Sequence, residues 1–532
     1  MERPLFLPQY VSAAPLIAPS PADLPSCINT NTVNAIHIKM NKKNAKLLPK
    51  YPNILQVSTR PWLYGLSLKY NKKISTLESI PDEVLEDIQS KGFDMLWIMG
   101  IWSLGTVGLE HDKTEPTRLE NYKKLLPDFT LEDVIGSPYS IKEYTANREI
   151  CPNGDEDIKT FRTRLNKYNI KLMLDFVPNH TSIDSPHTKD NIDYYIRAPK
   201  EMKEPYDEKR FLKNGIAFAG IKGVVYWTDV AQLNYWNPKT VRFQIDNLKK
   251  VASLCDGIRC DVAQILINDN FGSNWEEELQ SWGWTKPEKE FWDIAIKEVK
   301  KEFPNTIFLS ESYGDVYKEL IKEGFDYCYD KDLLDKFVKE DVKVIKEYIE
   351  GNKNYNDHLC HFLENHDHNR AMELFKEDAN KAKTVGIAVY TVPGMRFFFQ
   401  DQWLGLKNRL EVQLRRSYKE DGNNTIKEFY TKFFPIIQRK IFKYGQWMSM
   451  EIKGKDADKL MSWMWVDKEN KESIITVINY NNEKCEGILT FSPGYEGKEV
   501  KDLFTNTVYP INNDKTISLT IDEYGYKLLS YQ

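Results

Sequence analysis

Gly257-Ile-Arg-Cys-Asp261 sets a carboxylate at the end of a short apolar run, and three other stretches do the same: Asp175-Phe-Val-Pro-Asn-His180, Phe308-Leu-Ser-Glu311 and Phe362-Leu-Glu-Asn-His-Asp367. Each run is long enough for a strand and too short for a helix. Strands that each deliver an acid at the C-terminal end describe the rim of a closed parallel barrel, where side chains from several strand ends converge. Outward from these four, the chain from Arg60 alternates short apolar runs with amphipathic segments, as βα units do. Strands are expected at 62–66, 95–99, 171–176, 257–261, 307–311, 327–330, 361–364 and 395–399. Helices are expected at 81–91, 155–168, 239–253, 291–302, 317–322, 341–350 and 376–389, with a polar loop from 100 to about 138. Eight strands each coupled to a helix make an α/β fold, a (β/α)8 TIM barrel.

Two departures from a plain barrel are expected. The stretch 180–237 is far longer than an ordinary βα loop, so it reads as an excursion domain after the third strand. Beyond about Gly445 the pattern becomes apolar alternation with turns, six short strands and no strong helix, which predicts a C-terminal antiparallel β-sandwich over 446–532. The barrel domain is assigned to 56–445. Residues 1–55, proline-rich and then lysine-rich among asparagines, read as a disordered lead. Met40 would pass for a natural start, and residues 1–39 are assigned no function.

The bulk numbers exclude several classes. At 532 residues the chain exceeds one hydrophobic core, and a 41% hydrophobic, 28% charged composition is that of a globular protein. A net charge of −5 gives no electrostatic reason for a nucleic acid or an anionic membrane as partner. No apolar run approaches bilayer length, and prolines break the N-terminus where a secretory signal would need an uninterrupted apolar core. Seven scattered cysteines, at 27, 151, 255, 260, 328, 360 and 485, read as free thiols in a reducing compartment. A cytoplasmic location follows as the expectation.

The strand-end residues carry chemistry. Arg259 lies two residues before Asp261, which in a strand puts both side chains on one face. The guanidinium should hold that carboxyl below its ordinary range and keep it charged, as a nucleophile must be. Alone, the pair reads equally as a structural ion pair. Glu311, at the mouth of an apolar-walled cleft, should be raised by desolvation and so hold a proton near neutrality. His358, His361, His366 and His368 put half the chain's histidines within 11 residues. Metal binding competes there, but no cysteine or helical His pairing accompanies them, and a His-Asp pair gripping sugar hydroxyls fits better. Three carboxylates, an arginine and two histidines at one rim are the equipment for breaking a glycosidic bond.

Jointly, the four stretches closely resemble the four conserved regions of the α-amylase family of glycoside hydrolases, family 13. Val230-Ala-Gln-Leu-Asn234 resembles that family's additional region in the excursion domain. The resemblance implies Asp261 as nucleophile, Glu311 as general acid/base, and Asp367 as the third carboxylate, holding the hydroxyls of the reacting sugar. It also implies that Arg259, His180 and His366 hold the nucleophile or the same sugar. Tyr139, in Gly136-Ser-Pro-Tyr139, resembles the stacking tyrosine, and Asp175 would support Arg259. The implied reaction is retaining cleavage of α-glucosidic bonds in α-glucans or maltooligosaccharides, with the carboxyls of Asp261 and Glu311 about 5–5.5 Å apart.

Departures from the family pattern sharpen the expectation. Many α-amylases hold a structural calcium through an asparagine, an acid in the fifth region and a histidine four residues after the nucleophile. Here Asn179 remains, but Gln232 and Ile265 occupy the other positions, so no calcium and no other cofactor is expected. Gln264 stands where a lysine often touches the acceptor side. Trp227, Tyr235, Trp236, Trp282 and Trp284 flank the expected cleft. Two alternatives stay open: a transglycosylase or sugar phosphorylase using the same covalent intermediate, and a catalytically silent carbohydrate-binding protein on the same fold. Oligomeric state, chain length and linkage are not legible in the sequence.

Overall fold

The computed structural model describes residues 48–531 apart from 340 and 492–496. Eight parallel strands close into a barrel: Asn53–Ser58, Met95–Met99, Lys171–Phe176, Gly257–Cys260, Ile307–Ser310, Tyr327–Asp330, Leu359–Phe362 and Met395–Phe399. The registers bring chemistry to one level. Asp175 pairs with Arg259 across the third and fourth strands, and Leu309 of the fifth strand flanks Arg259 on the other side. Main-chain bonds carry the ladder one residue further, Asp261 N–H to Phe176 O and Glu311 N–H to Cys260 O, both 2.9 Å. Asp261 and Glu311 therefore leave the sheet side by side, with Asp175 beneath them at the level of Arg259.

The first strand is not where the sequence predicts it. Residues 62–66 belong to the helix Thr59–Tyr70, which buries Trp62, Leu63 and Leu66 on one face and ends at Asn71 in the left-handed region, φ 47°. The strand is Asn53–Ser58, so the barrel begins inside the segment read as a lead, and Tyr51, Ile54 and Leu55 are core residues. Its polar Asn53, Gln56 and Ser58 are buried too, which hid the strand from an apolar-run reading. The rest of the expected lead, residues 1–47, lies outside the described residues.

The stretch between the third strand and the helix Pro238–Leu254 carries a three-stranded antiparallel sheet of His180–Ser182, Val225–Gln232 and Phe218–Ile221. The expected polar loop from 100 to 138 instead holds helices Thr106–Asp112 and Pro116–Leu125 over a small core of Tyr122, Leu126, Val134 and Leu414. Glu115 caps the second of these by accepting from Arg118 N–H, with proline at its start. Leu414 comes from the loop after the eighth strand, and Arg416 of that loop forks onto Asp128 and Asp133 at 2.9 and 2.7 Å. Ile135 N–H to Gln413 O and Arg415 N–H to Asp133 O join the two segments through backbone.

C-terminally, a six-stranded sheet faces a three-stranded one across a core that includes Leu460, Ile475, Val477, Leu489, Leu519 and Leu529. Trp463 and Trp465 tie this sandwich to the barrel by donating to the Thr391 hydroxyl at 3.1 Å and carbonyl at 2.6 Å.

Candidate active site

Arg259 is the centre of the site. It is fully buried, and its Nη1 lies 2.5 Å from Asp261 Oδ1 and 3.4 Å from Asp175 Oδ1. Its Nη2 lies 2.8 Å from Glu311 Oε2, near enough for an ion pair though not aligned as a hydrogen bond. The rings of Trp97, Tyr139 and Tyr329 stand 5.2, 5.3 and 5.8 Å from the guanidinium carbon. Trp97 Nε1 donates to Asp175 Oδ2 at 2.9 Å, so Asp175 is fixed from both sides.

Backbone geometry serves the acids. Val262, directly after Asp261, sits at φ 38°, a left-handed conformation that costs a β-branched residue about 1–3 kcal/mol. That turn aims the Val262 N–H at Glu311 Oε2, 2.7 Å away. Glu311 Oε1 accepts from the Tyr313 hydroxyl at 2.9 Å. On the opposite wall, Asn365 Oδ1 accepts the N–H of Asp367 and of His368, both at 3.0 Å, an Asx turn that presents Asp367 to the cleft. Asp367 Oδ2 is 3.1 Å from His366 Nε2, and the Tyr139 hydroxyl meets the same nitrogen at 2.8 Å. Gln56 Nε2 reaches His366 Nδ1 at 2.7 Å, which assigns the ring hydrogen to Nε2. Asp367 stands at the mouth, its side chain 40% exposed, while Asp261 and Glu311 are buried.

Burial dominates the ionisation. It pushes Asp261 up to about 6 against the pull of Arg259, which corrects the expectation that the arginine would win. Sequence spacing gave the partner but not the depth. Burial also raises Glu311 to about 7, with Arg259 opposing and Asp261 adding to the rise, and it raises Asp175 to about 7. For Asp367, burial pushes upward but His366, His368 and Arg259 outweigh it, and the group stays below the usual carboxylate range. Burial lowers His366 to about 3, so the ring is neutral.

All eight residues singled out in the sequence lie around this cleft. His180, the least connected, sits beside the Tyr139 backbone and 5.9 Å from the Trp227 ring. Of the flanking aromatics, Tyr235 is buried with its hydroxyl on Pro178 O, and Trp282 is covered by Arg197 and donates to Ala198 O; both are packing. The clustered histidines disperse: His361 contacts Pro393 O and Asp330, and His358 contacts Asp326 O. Sequence reasoning missed Gln56, Trp97, Tyr313 and Tyr329. Trp97 and Tyr329 stand in apolar strands where nothing distinguishes them from core.

Two of the three positions that hold calcium in the family pattern carry Gln232 and Ile265. Gln232 Nε2 lies 2.9 Å from Asn179 Oδ1 and 3.1 Å from both Asn179 O and Leu233 O, its two hydrogens shared among the three oxygens, while Gln232 Oε1 is buried without a partner. Ile265 supplies an apolar side chain.

Paired acids gather around one arginine at the C-terminal rim of a parallel barrel, where folds of this kind build their sites. The model of the family described as "Alpha amylase, catalytic domain" matches residues 85–485, and the chain belongs to the α-amylase family. Two α-amylases of Dictyoglomus thermophilum are similar. Alpha-amylase 3 is 22% identical over 57% of this chain and 60% of its own length, and alpha-amylase 2 is 24% identical over 70% and 62%. The chain thus spans about three fifths of these relatives. Among solved structures, a maltogenic α-amylase of Thermotoga neapolitana has a TM-score of 0.64 at 21% identity, covering 91% of this chain and 99% of that one. An α-amylase of Geobacillus thermoleovorans complexed with acarbose also has a TM-score of 0.64, at 17% identity, covering 92% and 99%. These likenesses show the fold.

Proposed function

We propose that the chain hydrolyses α-glucosidic bonds of α-glucans or maltooligosaccharides with retention of configuration. The observation that carries this is the single guanidinium shared by Asp261 and Glu311. Two acids held within one guanidinium's span suit the short separation of a retaining pair better than the wider gap an inverting enzyme leaves for water. The shared ionisation fits as well: burial raises both carboxyls against the pull of Arg259, so the pair holds a proton near neutrality.

Asp261 attacks the anomeric carbon while Glu311 gives its proton to the leaving oxygen, whose electron pair departs with the aglycone. Glu311, now a carboxylate, takes a proton from water as that water displaces Asp261 from the same carbon. Asp367, with His366 and Tyr139 behind it, holds the hydroxyls of the ring as it flattens, and His180 lines the same subsite. The Gln232 clasp supports a fold that works without calcium, and excess chelator should leave activity unchanged. Six free buried thiols among the described residues suit the cytoplasmic location expected from the sequence. No helix among the described residues is long and apolar enough to cross a membrane.

The test is NMR of a maltooligosaccharide digest, with reducing ends counted. Fresh product in the α anomer is expected; early β product would overturn retention. Chain lengths above the starting sugar, or phosphate-dependent release, would replace hydrolysis by transfer or phosphorolysis.

A further inference from the structure

The two carboxyl oxygens of Glu311 have different company. Oε2 receives the Val262 N–H and faces Arg259 Nη2, both of them donors with no lone pair to offer. A proton on Oε2 would meet other protons, so the acid proton belongs on Oε1. Among the described residues the side chain that reaches Oε1 is Tyr313, through its hydroxyl at 2.9 Å. Burial, reinforced by the charges of Glu311 and Asp367, pushes that phenol well above its ordinary value, so it keeps its proton and remains a donor. Tyr313 is itself anchored. Its backbone N–H donates to Gln264 Oε1 at 2.7 Å, and Asn270 Nδ2 fixes the Gln264 carbonyl at 2.9 Å. Gln264 lies three residues after Asp261, so the anchor starts on the nucleophile's own loop. Gly314, at φ 67°, turns the chain away directly after the ring.

We propose that Tyr313 is a positioning residue for the proton donor and that Gln264 in turn positions Tyr313. The donated hydroxyl occupies one lone-pair direction of Oε1 and leaves the other for the acid proton, aimed at the leaving oxygen. This inference rests on Glu311 being the acid. Because Tyr313 acts only through Glu311, its importance scales with how much the leaving group needs a proton.

Tyr313→Phe in the full chain tests this, with kcat/KM compared for a maltooligosaccharide and for a nitrophenyl maltooligoside, whose phenolate departs with little protonation. The natural substrate should lose roughly tenfold, part of the ~10²–10⁴ that a positioned general acid supplies. The aryl substrate should lose less than about twofold. The alkaline limb of the natural-substrate profile should move up by about one pH unit, since ionised Glu311 has lost a donor. Gln264→Ala, which keeps the hydroxyl and frees its backbone, should give the same pattern at smaller amplitude, and it decides the matter if Tyr313→Phe does not fold. Equal losses on both substrates with an unmoved limb, or wild-type behaviour, overturn the inference. Glu311→Gln separates the two readings. Full activity there removes the acid assignment itself; an inactive Glu311→Gln beside a leaving-group-blind Tyr313→Phe removes only the role of Tyr313.

Discussion

Arg259 and Arg396 are both fully buried, on strands of one barrel, in opposite company. Arg396, near the start of the eighth strand, spends its donors on main-chain oxygens: Tyr390 O at 2.7 Å, Phe442 O at 2.8 Å and Tyr51 O at 3.0 Å. Burial lowers it to about 10. Arg259 faces three carboxylates, and the attraction of Glu311, Tyr139, Tyr329 and Asp261 overcomes burial and raises it. Its Nε has no partner, and the acids around it sit far above their ordinary values. One arginine joins its strand to two helices and to the segment before the first strand, each of its nitrogens donating to a neutral carbonyl. The other sits in a knot of charge that is incompletely compensated, and chemistry belongs in the second kind of place.

The largest effect expected from breaking that knot is Asp261→Asn. It should lower kcat by about 10⁴ or more while leaving sugar binding intact; an unchanged rate would remove the nucleophile assignment. Arg259→Gln should cost about 10²–10³ in kcat, the scale of a lost charge-stabilising group. Arg396→Gln should leave kcat within about twofold and lower the melting temperature, since carbonyls left unpaired cost about 1–3 kcal/mol each. Kinetics and melting curves on both variants would show whether the two arginines divide function from stability. A smaller effect concerns pH. Asp261 must be ionised and Glu311 protonated, so kcat/KM should rise as pH climbs through about 6 and fall through about 7, the limbs belonging to the coupled pair. A flat profile between pH 5 and 8 would contradict the assignment.

The smallest effect is Asp175→Asn. The wild-type group is raised in the folded state, so its stabilising neutral form is fully present below the unfolded value and is lost as pH rises through about 7. The variant should therefore gain on the wild type in melting temperature as pH rises from about 4 to about 7, and no further above that. A constant difference would mean that Asp175 stays ionised throughout.

Asp175, Asp261 and Glu311 were legible because each closes an apolar run that proved to be a barrel strand, whereas the strand expected at 361–364 is Leu359–Phe362 and Asp367 stands on the loop beyond it. The strands Met95–Met99, Lys171–Phe176, Tyr327–Asp330 and Met395–Phe399 fall at the expected limits for the same reason. Asn53–Ser58 was illegible because Gln56 is polar and points at His366; the residue that breaks the pattern is the one serving the site. Nothing in the sequence sets Tyr313 apart from an ordinary loop tyrosine. Only the fold reveals that Glu311 has one occupied oxygen and one open to it. The ionisation of Asp261 turned on depth, which spacing does not encode.

The Arg416 fork has an architectural consequence. It binds the segment before Tyr139 to the loop beyond the eighth strand, two emissaries from either flank of the first strand, which passes straight into its helix at Thr59. Together they form an arch whose halves brace each other. A graft that replaces either half alone would leave the Arg416 guanidinium, or the Asp128 and Asp133 carboxylates, without a counter-charge. Reshaping that side of the groove to admit other sugars calls for exchanging both halves as one piece.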